Sequence, residues 1–173
     1  MNLAYKNLLD PSFHPDSRVW IYQSSRLFTL QEALEIESLL DDFTRRWTSH
    51  GDAVKAAGYL FFGQFIILMA DETASMVSGC STDSSVRFIK SLEERFAVSL
   101  FDRTTLAFYS GEKIQLLPLA QLAYAVQHGY ITGDTLYFNN LVQTKSALEE
   151  QWIIPVKDSW LARRLPLHPV AGK

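Results

Sequence analysis

The densest run of reactive groups in the chain is Ser78-Gly-Cys-Ser-Thr-Asp-Ser-Ser85, which gathers a thiol, five hydroxyls and a carboxylate. Read as a loop before a helix, Ser78, Gly79, Cys80, Ser81, Thr82, Asp83, Ser84 and Ser85 would stand where free amides and the positive end of the helix dipole favour an anion and depress a thiol pKa. Two chemistries follow: ligand binding by the loop, or catalysis through the Cys80 thiol as nucleophile. The second needs a base, and no histidine lies near Cys80 in sequence. His50 is the candidate, because its helix would share a sheet face with the helix after the loop. A plainer alternative stays open, since Ser, Thr and Asp are ordinary capping residues and a lone Cys is commonly a small buried hydrophobe.

A second set of residues suggests nucleotide chemistry and fails on inspection. The apolar run from Phe65 to Ala70 ends in Asp71-Glu72, as a Walker B strand does, and Val77-Ser-Gly-Cys-Ser81 has the look of an ABC signature loop. A phosphate-binding loop needs two glycines followed by Lys and Ser/Thr, so that amides cradle phosphates, the ammonium neutralises them and the hydroxyl binds magnesium. The nearest match, Gly58-Tyr-Leu-Phe-Phe-Gly63-Gln64-Phe65, has Gln and Phe at those positions and bulky apolar residues between the glycines. The carboxylate pair also precedes the signature-like segment, the reverse of the order in ABC ATPases. ATP hydrolysis is therefore not expected.

The remaining chemistry-bearing residues are scattered. His14, His50, His128 and His168 fall in no metal-ligand spacing, and Cys80 is the sole cysteine, which excludes an internal disulfide and a Cys-rich zinc site. No metal and no cofactor is expected. Trp20, Trp47, Trp152 and Trp160, with Tyr22 and Tyr59, either line an apolar pocket or fill the core. His50-Gly51 and His128-Gly129 suit helix ends, and Arg163-Arg164 suits a solvated surface.

The elements that must position these groups follow from periodicity. Arg18 to Ser24 is β-branched and aromatic and predicts a strand. Thr29-Leu-Gln-Glu32 is a capping box, and Ala33, Ile36, Leu40, Phe43 and Trp47 continue at helical spacing until His50-Gly51. Tyr59–Phe62 and Gln64–Ala70, broken at Gly63, predict two strands or one strand with a bend. A helix capped by Thr82 or Asp83 carries Val86, Ile89, Leu92 and Phe96 inward, and Thr104–Tyr109 predicts a strand closed by the turn Ser110-Gly-Glu-Lys113. The order is that of a ferredoxin-like, split βαβ core in an antiparallel α+β fold. One domain spanning 1–173 is expected: a βαββαβ core at 18–110, an extension at 111–165 and a tail at 166–173. In the extension, Pro118–His128 predicts a helix closed by Gly129, and Leu136–Phe138 and Gln151–Val156 predict short strands around a helix capped by Thr144.

With 173 residues and 47% hydrophobic content the chain suffices for one well-filled core. A net charge of -3 supplies no basic field, so neither nucleic acid nor a membrane surface is an expected partner. The N-terminal residues lack the pattern of a secretory signal, and a cytoplasmic location is expected. The phrases Ser17-Arg-Val-Trp-Ile-Tyr-Gln-Ser24, Trp47-Thr-Ser-His-Gly51, Ser78–Ser85, Phe138-Asn-Asn-Leu-Val142 and Ser159-Trp160 resemble those of a small bacterial family of unknown function. Members of that family are often labelled "ABC transporter ATPase". The resemblance covers most of the chain, implies no known activity and carries over no catalytic residue. The leading expectation is a non-enzymatic domain that binds a small molecule or a protein, with homodimer formation through a sheet edge or aromatic patch as a further option. A small enzyme using the Cys80 loop is the alternative.

Overall fold

The computed structural model describes residues 2–49, 51–73 and 79–163, with the backbone alone at Gly79–Ser81. The fold is mixed α+β with antiparallel sheets. Its contacts divide the chain into two compact units, one of Asn2–Asp102 with Asn140–Glu149, the other of Arg103–Asn139 with the segment from Glu150. The division falls before the expected last core strand, and 140–149 belongs with the first unit.

The first unit contains β1 (Arg18–Gln23), α1 (Leu30–Arg46), β2 (Thr48–Ser49), β3 (Asp52–Ala53), β4 (Lys55–Phe61), β5 (Phe65–Asp71) and α2 (Gly79–Phe96). Its main sheet has the antiparallel order β1-β5-β4. All seven residues of β5 are buried, because as the central strand it is covered on both faces, and its sequence is accordingly apolar from Phe65 to Ala70 before Asp71. Ile36 and Leu40 of α1 and Ile89 and Leu92 of α2 pack on one face, with Tyr22, Ile66 and Leu68 of the sheet. On the other face, Tyr5 meets the rings of Phe61 and Phe62, and Lys55 reaches the Ser12 carbonyl and stands over the Phe13 ring.

The capping box forms as expected: Glu32 N–H donates to Thr29 Oγ1 (3.2 Å) and Thr29 N–H to the Glu32 carboxylate (2.8 Å). Arg26 donates to both oxygens of the same carboxylate at 2.9 Å and to the Phe96 carbonyl, joining the start of α1 to the end of α2. Hydrogen bonding from Arg26 is the main reason the Glu32 pKa falls to about 2. Close contact of α1 with the sheet depends on Gly58, since a Cβ there would lie 2.9 Å from Leu40 Cβ and Cδ2.

Two expected boundaries are corrected. Helix α1 stops at Arg46, short of His50-Gly51, because Thr44 Oγ1 donates back to the Leu40 carbonyl and the chain turns at Trp47 into the β2–β3 hairpin. The left-handed Gly51 (φ 91°) therefore serves that hairpin and caps no helix. Helix α2 begins at Gly79, ahead of Thr82 and Asp83, so residues 79–85 are helix and not loop. Ser85 is accommodated there by donating to the Thr82 carbonyl at 2.8 Å.

The second unit contains β6 (Thr105–Ser110), β7 (Lys113–Pro118), α3 (Leu122–Gln127) and β8 (Leu136–Phe138). After α4 (Lys145–Gln151), which starts in the first unit's segment, comes β9 (Ile153–Pro155). The sheet order is β7-β6-β8-β9. The expected fourth core strand thus exists as β6 but pairs with β7 and β8 and not with β1. The reason is local: the Ser110–Lys113 turn closes a hairpin with β7, a strand absent from the sequence reading, and that hairpin occupies one edge of β6. Gly129 closes α3 as expected, with the Gly129 and Tyr130 amides donating back to Val126 and Ala125. Thr144 Oγ1 accepts from Ala147 N–H at the start of α4. No helix among the described residues is long and apolar enough to cross a membrane. The expected tail lies outside the described residues.

Candidate functional site

Helical spacing places Leu39, Asp42, Phe43 and Arg46 on one stripe of α1, and Ser84, Phe88, Ser91, Leu92 and Arg95 on one stripe of α2. The two stripes face each other across an open cleft of about 840 Å³. Its floor is apolar. The rings of Phe43 and Phe88 stack with centroids 4.3 Å apart and planes 4° from parallel, and Phe43 continues to Trp47 at 5.2 Å. Trp47 packs in turn on Trp20 of β1 at 5.8 Å, over which the Arg18 guanidinium stands at 4.9 Å. This ladder ties the cleft floor to the sheet, so the floor is held by the core.

The rim carries two charges of each sign. Asp42 and Arg46 are an i,i+4 pair at 4.0 Å, Glu94 stands on α2, and Arg95 pairs with Glu35. These are largely exposed ion pairs, which contribute little to stability and leave the mouth without net charge. The cleft therefore presents an aromatic floor and a balanced polar rim.

Of the expected ligand loop, Ser84 lines this cleft. Ser85 is buried and spends its hydroxyl on the Thr82 carbonyl, Thr82 is half-buried and Asp83 exposed on the helix surface. Ser78 lies outside the described residues, as do the side chains of Gly79, Cys80 and Ser81. His50 also lies outside them, so the Cys80–His50 pairing falls on undescribed groups.

The Walker B-like carboxylates are structural. Asp71 accepts from Thr73 Oγ1 (2.7 Å) and Thr73 N–H (3.1 Å) and pairs with Lys55 Nζ (3.2 Å). The Thr73 hydroxyl is the largest cause of its pKa falling to about 2. Glu72 pairs with Arg18 at 3.7 Å. Gly58 to Phe61, read against a phosphate loop, are strand β4. Among the described residues no cluster of three or more His, Cys, Asp and Glu could hold a metal ion.

The aromatic candidates divide. Trp47 lines the cleft, and Trp20 supports it from below. Tyr22 is core, and Tyr59 lines a smaller groove on the other flank of α1. In the second unit Trp152 is fully buried, edge-on to Phe138, and Trp160 Nε1 donates to Tyr137 Oη at 3.1 Å. Leu39 and Phe88 were not foreseen as site residues. Their signal was present: Phe88 sits one position before Ile89 of the inward stripe, so the apolar arc of α2 is wider than its core contact requires.

Comparison with family models, with curated proteins and with solved structures gives no match.

Proposed function

We propose that this protein is a non-enzymatic binding protein whose site is the cleft between α1 and α2. Its ligand is a planar, apolar molecule, neutral or zwitterionic, with polar groups at its edges. The observation that carries this is the aromatic floor: Phe43 and Phe88 stacked at 4.3 Å beside Trp47, at the base of an opening of about 840 Å³. Phe43 and Phe88 are stacked on each other, so a ring entering the cleft packs against the aromatic cluster, and the paired charges on the rim offer hydrogen bonds without favouring a polyanion.

A ferredoxin-like, split βαβ arrangement is supported in the first unit by the antiparallel order β1-β5-β4, three of the four strands of such a core. The absence of ATP hydrolysis is supported by Gln64 and Phe65 standing where a phosphate loop needs Lys and Ser/Thr. The proposal includes membership of the small bacterial family that the chain resembles and a cytoplasmic location.

The test is a screen of neutral bicyclic aromatics, read through the intrinsic fluorescence of Trp47 and confirmed by calorimetry, on the parent and on Ser91→Trp. The added indole fills the cleft from its rim. Binding that is lost in Ser91→Trp supports the site. Compounds that bind both proteins equally, or no binder at all, refute it.

A further inference from the structure

Among the described residues, the sheet of the first unit has one covered and one open edge, and the open edge adjoins a second groove. On β1, Val19 N–H donates to the Gln143 carbonyl and Lys145 N–H to the Ser17 carbonyl, so the segment at 143–145 closes that side. The opposite edge is β4. Ser24 N–H donates to the Gln64 carbonyl, which fixes the alternation: β5 turns its even-numbered residues to β1 and its odd-numbered residues to β4. The backbone groups of Ala56, Gly58 and Leu60 then point away from the sheet. Among the described residues nothing hydrogen-bonds to them.

Natural sheets blunt such edges with prolines, bulges or central charges. Strand β4 is seven residues long and has a single charge, Lys55, at one end. Beside it runs a groove of about 490 Å³ whose other wall is α1 and which the exposed Leu8 also lines. The α1 wall supplies Leu34, 61% exposed, then Ser38 and the carboxylates of Glu37 and of Asp41, the latter in an exposed pair with Arg45 at 3.3 Å, and no basic residue lines the groove itself.

We infer that β4 and the adjoining face of α1 form a docking site for an extended peptide segment bearing basic and apolar side chains. The segment adds to the sheet as a further strand, bonding the free groups of Ala56, Gly58 and Leu60. Its α1-facing side chains meet Leu34 and the carboxylates of Glu37 and Asp41. The backbone supplies affinity and the acidic wall supplies selection for cations. A second copy is the less suitable occupant. Antiparallel self-pairing about Gly58 would set α1 against α1 and bring the carboxylates of Glu37 and Asp41 from both copies together.

The experiment uses the full chain and three short fluorescent peptides: alternating Lys and Val, alternating Glu and Val, and the Lys/Val peptide N-methylated at alternate amides. Anisotropy should show binding of the first, with the other two weaker by about tenfold or more. The double variant Glu37→Lys, Asp41→Lys changes exposed residues and gives up the exposed Asp41–Arg45 pair; it should weaken the Lys/Val peptide by a similar factor while the far-UV circular dichroism spectrum stays that of the parent. Ala56→Pro, which removes one outward amide, should do the same. Binding indifferent to N-methylation or to the charge reversal would overturn the inference. So would a light-scattering mass of two chains that Ala56→Pro converts to one, since it names a second copy as the occupant.

Discussion

Gly58→Ala is the sharpest test of how α1 is seated. The residue lies within β4 with ordinary extended backbone, so alanine fits its conformation. What it meets is Leu40, fully buried, with Cβ and Cδ2 each 2.9 Å from the new methyl. Cδ2 can swing away, but Cβ is fixed to the backbone of α1, so the helix must shift. Overpacking of this kind costs roughly 1–3 kcal/mol. Lower unfolded-chain entropy offsets about 0.4–1 kcal/mol of it. The expected net loss is about 1–2 kcal/mol, a urea midpoint lower by roughly 0.5–1 M if the slope is unchanged. Leu40→Ala alone costs about 2–5 kcal/mol through the cavity it leaves. In that background Gly58→Ala should cost less, because Cδ2 is gone, with a coupling of about 1 kcal/mol in a double-mutant cycle. A Gly58→Ala protein as stable as the parent, or a penalty identical in both backgrounds, would refute the contact.

Other outcomes follow from the same contacts. Thr29→Ala removes one half of the capping box and should lower stability by about 1 kcal/mol in chemical denaturation. Glu32 and Asp71 both have folded pKa values of about 2, below the unfolded carboxylate range. Their contribution is therefore complete above pH ~4.5 and is lost as pH falls toward ~2. Urea titrations across that window should show stability falling with acid, and Asp71→Asn should flatten the fall. Phe88→Ala opens the cleft floor. It should lower the melting temperature through lost ring stacking and weaken any cleft ligand, both read in one thermal-shift series.

Much of the first unit was legible because its signals are local. The capping box at Thr29 and Glu32, the alternation of core residues along α1, and the buried run of β5 each carry their own period. What local pattern does not carry is where a strand finds its partner. Thr104–Tyr109 announced a strand, but whether it joined β1 depended on β7, whose mixed sequence from Lys113 to Pro118 has no clean alternation. Helix α2 was placed late because its first residues, Gly79 to Ser85, are capping and turn formers, and tertiary context overrode that preference. The Ser78–Ser85 run was conspicuous for its chemistry, yet the cleft is built from Leu39, Phe43 and Phe88. Those residues look in sequence like more core, and only the separation of two helices turns such a stripe into a cavity.

The central claim, that the α1–α2 cleft is the binding site, is tested most directly by methyl-resolved NMR of the Leu residues during titration with a bound aromatic from the screen. Ring currents from an aromatic ligand packed against Phe43 and Phe88 should shift the methyls of Leu39 and Leu92, which line the cleft, while Leu106 and Leu161 in the core of the second unit stay fixed. Shifts at Leu39 and Leu92 that saturate with the calorimetric affinity are the predicted result. Saturable binding that leaves both leucines unmoved would contradict the account.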